Sequence, residues 1–507
     1  MKPLFIMAAV VALLGVVCSK KEAEQEVIMA RINGRTLTEH EFLERAEYTI
    51  RPPYAKMDYY AHKKIILNSL IAEALLAQDR GASTELAKNQ KFQLFVQGQK
   101  EQAMRQMFYR KHFYDPIKLD PQEVQKVYNL AGRTYDVQFL STKNKVFSDL
   151  IEQRVRKQNL PFDQVVLEYT GLDSLSARKV SFDMNDIPQV RQALFEQEVK
   201  RDQVIGPLQI GNEYLWLQVR GWREVVSLNT QDVQNRSRDV VQHLTFKYAT
   251  ESFQRYVVRL MKGKRVEFDQ DTFVELVNTL GPVFFPSKED KEAQLKRLVW
   301  KKGSEDDLPI DSLSTQLSRL KEKPLLTIDG TTWTVADLDR ELLLHPLNFR
   351  KKKMRKNEFA EQLKLAVVDI IRDKYITQQA YREGFDAHPY VQSREAMWRD
   401  AYLASAARNE YLASLGLLDV FEKEYLPIIE KELNPLVDEL QSKYSGNIEI
   451  NTDLLESIQL SRIDLFALYE DQPYPMVVPP FPLLTTDHLI DYGRKLVDSD
   501  KITSAEK

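Results

Sequence analysis

Cysteine is almost absent. Cys18 is the only one in 507 residues, so no disulfide can form within the chain and no thiolate metal cluster can be built from it. Glycine is scarce at 17 residues, which argues against glycine-rich phosphate loops and extended β architectures and leaves a helix-dominated picture. An excess of one charge is missing too. Lysine and arginine total 71 against 74 aspartates and glutamates, a net charge of −3, and nothing in that balance calls for nucleic acid. The seven histidines are scattered, none pairing with another at helical or zinc-ligand spacing. His-Glu-x-x-His, Gly-x-Ser-x-Gly, phosphate-loop and dinucleotide motifs are lacking, and Glu305-Asp306-Asp307 has neither the alternation nor the glycine of a calcium loop. The residues therefore supply no catalytic set, no metal site and no cofactor or nucleotide site.

Only one long apolar run is present, the fourteen residues from Leu4 to Val17. It is too short for a membrane span and fits the apolar core of a secretory signal. Cys18 follows directly, and its position resembles the acylated cysteine of a bacterial lipoprotein, although Gly15-Val16-Val17 departs from the usual residues before it. No Ala-x-Ala site follows for an ordinary signal peptide. The expectation is a lipoprotein signal over 1–18, lipid attachment at Cys18, and a mature protein in the periplasm or cell envelope, anchored to a membrane by its lipid.

What is present is a repeat. Ile32-Asn33-Gly34 with Thr36-Leu37-Thr38 and Phe42 returns 296 residues later as Ile328-Asp329-Gly330 with Thr332-Trp333-Thr334 and Leu338. Each copy reads as strand, tight turn and strand, with glycine supplying positive φ, and ends at a threonine placed to cap a helix. Glu41 and Asp337 stand three residues beyond those threonines, the capping-box spacing. Amphipathic stretches follow each copy, over 62–78 and 85–113 after the first and over 357–382 and 388–415 after the second. Between the copies, 134–223 reads as β-α-α-β-α-β-β. Residues 286–322 read as a charged linker, and 419–507 as a helix, short strands around Ile448-Glu449-Ile450 and a proline-rich tail. That tail is read either as a recognition strap or as an arm packed on its own domain through Met476, Val477, Val478 and Phe481.

Ile32-Asn33-Gly34, Leu37-Thr38, Leu70-Ile71, Leu75-Leu76 and Gly81 together resemble the N-terminal domain of SurA- and PrsA-type periplasmic folding factors. Gly206-Pro207-Leu208 and the run from Glu213 to Val219 are similar to the end of the parvulin peptidyl-prolyl isomerase domain that those proteins carry. The resemblance implies a mainly α fold with an α+β insert, SurA-like helical modules flanking a parvulin-like domain. One module would span 27–133, completed by a helix at 229–265. The parvulin-like domain would occupy 134–225 and the second module 325–418. Departures decide the chemistry. Gln138-Phe139-Leu140 holds the place of the first active-site histidine, Leu215 that of the second, and no histidine lies between His112 and His243. The insert is thus expected to be inactive and kept for binding, with Met184, Leu194 and Phe195 as the remains of an apolar peptide pocket. The function implied is a chaperone for unfolded or nascent secreted and envelope proteins. An isomerase with a non-standard site and a dedicated envelope assembly subunit with one fixed partner are the alternatives.

Overall fold

The computed structural model describes residues 27–183, 187–211, 213–225, 229–285, 317–345, 347–351, 354–461, 474 and 476–496. Asn33 and Gly34 take φ of 46° and 88° and turn Ile28–Ile32 (β1) back on Arg35–Thr38 (β2). Helices follow over Glu39–Glu47 (α1), Tyr60–Asp79 (α2) and Gln90–Tyr109 (α3). The middle of the chain supplies Pro121–Ala131 (α4), Arg133–Thr142 (β3), Lys145–Ile151 (α5), Phe162–Thr170 (α6), Ser176–Ser181 (β4) and Pro188–Phe195 (α7). Val204–Ile210 (β5), Glu213–Glu224 (β6) and the long Thr230–Leu260 (α8) come next. Val266–Phe268 (β7) and Gln270–Phe284 (α9) precede the second hairpin, Pro324–Ile328 (β8) and Thr331–Thr334 (β9). After it come Val335–Leu344 (α10), Phe359–Arg382 (α11), Pro389–Ser414 (α12), Asn434–Tyr444 (α13), Ile448–Ile450 (β10), Thr452–Ser457 (α14) and Arg494–Lys495 (β11).

These elements fall into two units, one of residues 111–254 and one of 21–110 with 255–507. In the larger unit each hairpin gains a third strand of the pattern apolar-Glu-apolar. β10 lies antiparallel on β1, with Ile32 opposite Ile448 and Ala30 opposite Ile450; β7 lies on β8, with Ile328 opposite Val266 and Leu326 opposite Phe268. The registers are equivalent. The next amide bonds the same hairpin carbonyl in both, Asn451 N–H to Met29 O at 2.9 Å and Asp269 N–H to Leu325 O at 2.8 Å. Both residues then cap a helix, Asn451 accepting from the Leu454 amide and Asp269 from the Thr272 amide. The repeat is therefore larger than the hairpins, but its parts stand in different chain order: β7 precedes its hairpin, whereas β10 follows from the far end of the chain.

The long helices are exchanged between the copies. α12 packs on α2, and α3 packs on α10 and α11, so each copy's last helix lies on the other copy's preceding one. Gly98 on α3 makes this approach possible, because a Cβ there would collide with the Leu344 carbonyl. One apolar core joins β1, β10, α2, α12 and α13 through Met29, Phe42, Leu75, Tyr402, Leu440 and Ile448; a second joins β8, α9, α10 and α11 through Leu276, Leu325, Leu338 and Val367.

In the smaller unit, four antiparallel strands run in the order β4-β3-β6-β5. Residues alternate across this sheet. Tyr135, Val137, Leu215, Leu217 and Val219 face a core shared with α4, α7 and α8 through Val124, Val127, Val190, Val240 and Leu244. Trp216 faces the other way, against Ile151, Phe162, Val165 and Val166 of α5 and α6.

Two expectations are corrected. The chain is mainly helical with small, mostly antiparallel sheets, not SurA-like modules flanking a parvulin-like domain. The two hairpin copies exchange helices within one unit instead of forming separate modules, and the 134–225 sheet closes its core only with α4 and α8, which lie outside that range. The lipid-anchored periplasmic placement is withdrawn as well. Residues 1–18, with Cys18, lie outside the described residues, and among the described residues no helix is long and apolar enough to cross a membrane. Most of the expected linker, 286–316, is likewise outside them.

Candidate functional site

Two of the three expected pocket residues are among the described ones. Leu194 and Phe195 on α7 are wholly buried, with Phe195 edge-on to Tyr135 at 5.2 Å and to Phe182 at 5.4 Å; Met184 lies outside the described residues. Leu194 and Phe195 share one apolar core with Val124 and Val127 of α4 and Val240 of α8. The two positions where the resemblance would place active-site histidines sit on opposite faces of the sheet. Leu215 belongs to the α4–α8 side, while Gln138 pairs across the strands with Gln218, the neighbour of Trp216 on the other side by alternation. Histidines at those two places could not meet.

That other side carries the exposed chemistry. Asn144 caps α5 by accepting from the Phe147 amide at 3.1 Å, and α6 ends at Gly171, which takes φ of 66°. Trp216 anchors the helix pair: its ring N–H donates to Ser148 Oγ at 3.0 Å, and Arg156 lies over the ring at 5.8 Å while donating to the Gly206 carbonyl. Beyond this anchor Phe147 meets Tyr169 at 6.0 Å, with Arg154 over the Tyr169 ring and paired to Glu168. The residues beside them are left in solvent, Val146 at 78%, Leu172 at 51% and Tyr169 itself at 45%. A rigid tryptophan-anchored base thus presents apolar side chains with a cation at their rim, an arrangement suited to covering apolar residues of another chain.

The larger unit has a patch of its own, where Leu415, Leu418, Val420 and Leu426 are exposed around the turn at Gly416. Its buried polar groups act as struts. Asp373 accepts from His345 Nε2 at 2.7 Å, Arg372 Nε at 2.7 Å and the Tyr474 hydroxyl at 3.0 Å. Burial pushes the Asp373 carboxyl up, but His345 and Arg372 outweigh it and hold the group well below the usual carboxylate range. Beside α1, Glu41, Glu44, Glu73 and Asp400 share Arg35, Arg45 and Arg394. Burial, reinforced by Glu73 and Glu41, pushes Asp400 up to about 6 even though Arg35 opposes it. The same arginines clasp the proline-rich tail, Arg45 donating to the Pro480 carbonyl at 3.3 Å and Arg394 to that of Val477 at 3.1 Å. Val478, Phe481 and Leu484 of this tail are buried in the larger unit's first core.

Sequence reasoning passed over Val146, Phe147, Tyr169 and Leu172. The available signal was apolar residues adjoining an asparagine cap and a helix-ending glycine, places where polar residues are the rule. No protein-family model matches the chain, and no curated protein or solved structure matches it.

Proposed function

We propose that the protein is a chaperone that binds segments of non-native polypeptide, covering their apolar side chains reversibly and without a cofactor. The observation that carries this reading is the exposure of Val146, Tyr169 and Leu172 on and beside the α5–α6 pair, where Phe147 meets Tyr169. Fully covering one such side chain is worth about 1.5–3 kcal/mol. After the cost of association, three of them give weak and rapidly reversible binding, which suits clients that share only apolarity. The Leu415–Leu426 patch offers a second contact of the same kind. Partners are therefore expected to be unfolded or nascent proteins, not one folded subunit, since the proline-rich tail that would hold a fixed partner is clasped inside its own unit.

The test is suppression of aggregation of several unrelated, chemically unfolded proteins by the full chain. The triple variant Val146→Ser, Tyr169→Ser, Leu172→Ser should lose roughly half of the suppression or more, while its folding stability moves by no more than about 1 kcal/mol because the sites are exposed. A wild-type chain that protects none of the substrates rules the reading out.

A further inference from the structure

We propose that the bound segment is held as an added strand on the outer edge of β4, and that the segments favoured are apolar ones carrying acidic residues. This rests on the polypeptide-binding reading and specifies the conformation and chemistry of what is bound. β4 closes one end of the β4-β3-β6-β5 sheet, so the backbone groups on its outer side have no strand beside them among the described residues. Residues 176–179 are all exposed. The opposite edge differs: β5 contains Pro207, which has no N–H to offer, and its register slips between Ile205 and Leu208, two devices that stop an edge from taking another strand. β4 has neither device. It pairs with β3 without a slip from Thr134–Ser181 to Phe139–Ser176, a length of about 20 Å that would seat six residues.

The position and charge of β4 select the occupant. The exposed Tyr169 and Leu172 lie on the segment leading into this strand, within seven residues of its start. Between Ser174 and Ser181 the chain carries Arg178 and Lys179 and no acid. A second copy of the protein pairing edge to edge through β4 would bring these cations against their own counterparts, which is unfavourable. An acidic-apolar segment meets opposite charge instead.

Three nine-residue probes separate main-chain pairing from simple apolar contact: a peptide alternating valine and glutamate, and two versions of it N-methylated on alternate residues, one in each possible phase. Titrated against the full chain by fluorescence anisotropy, one methylated phase should bind about tenfold more weakly than the parent because it cannot donate to the strand edge. The double variant Arg178→Glu, Lys179→Glu should weaken the parent by a similar factor and restore binding to a valine-lysine peptide. If all versions bind alike while aggregation is still suppressed, strand addition is wrong and the polypeptide-binding reading survives. If no peptide binds and no substrate is protected, both fall. Dimerisation of the wild-type chain in light scattering that the charge-reversed variant abolishes would overturn the proposal in favour of self-pairing.

Discussion

Thr38 and Thr334 occupy equivalent places in the two hairpins, yet only one completes its capping box. Thr334 N–H donates to Asp337 and the Asp337 amide returns to Thr334 Oγ1. In the first copy the Glu41 amide does donate to Thr38, but the Glu41 carboxylate turns away to Arg35 and Ser393. The spacing was legible in the sequence. The diversion was not, because Ser393 lies 352 residues further on and no local pattern announces it. Asp400 belongs to the same cluster and gives it a pH signature. An unfolded aspartate titrates near 3.9, whereas Asp400 in the fold titrates at about 6. The native state therefore binds the extra proton between those values, and this group's contribution to stability is lost as pH rises through the window. Asp400→Asn should exceed the wild type by about 1–2 kcal/mol at pH 7, with the difference vanishing below about pH 4, as read by urea unfolding across pH. Asp373 runs the other way, since its lowered pKa stabilises the fold above the usual carboxylate range and is lost in acid. Asp373→Asn removes the buried charge that His345 and Arg372 share and should cost about 3–5 kcal/mol in the same measurement.

Among elements, those with internal evidence were readable. The Asn-Gly and Asp-Gly turns fixed both hairpins, and apolar spacing located α2, α11 and α12. The strand at Ile448-Glu449-Ile450 was readable, but its pairing with β1 was not, and β7 escaped because three residues are too few for an alternation to register; the matching pieces, Ile448-Glu449-Ile450 and Val266-Glu267-Phe268, also stand in different order relative to their hairpins. Their equivalence makes a prediction. Replacing Ile448-Glu449-Ile450 by Val-Glu-Phe should retain a cooperative fold at a cost of about 1–3 kcal/mol from imperfect packing. Ala-Glu-Ala at the same place should cost about 4–8 kcal/mol, since two buried side chains are cut back. Thermal unfolding distinguishes the two. The α3–α10 crossing is tested separately: Gly98→Ala forces a methyl into the Leu344 carbonyl, which is backbone and cannot rotate aside, so a loss of about 1–3 kcal/mol is expected. Of the candidate site, the sequence revealed the strands but not the patch. Leu194 and Phe195 read as pocket residues through the resemblance alone, and nothing local says that they share a core with α4 and α8.

At the scale of the whole molecule the two units are built on different principles. Residues 111–254 form a continuous stretch, whereas the larger unit is assembled from both ends of the chain. A chain stopped after Tyr444, before β10, should keep hydrogen-exchange protection in β3 and β6 and lose it in β1 and β2, whose sheet lacks its third strand. The misreading of the class also belongs to this scale. A repeat on either side of an insert suggests two flanking modules, and only the packing of α12 on α2 and of α3 on α11 shows that they interlock.

The join between β1 and β10 has a consequence for how the protein is made. Arg31 and Glu449, paired across it, are separated by 418 residues. At ordinary translation rates of about 5–20 residues per second, some 20–80 seconds pass between their emergence from the ribosome. Throughout that interval the outer edge of β1 lacks β10, and for most of it α2 lacks α12 as well. Each newly made copy therefore passes through the condition of the clients it is proposed to serve.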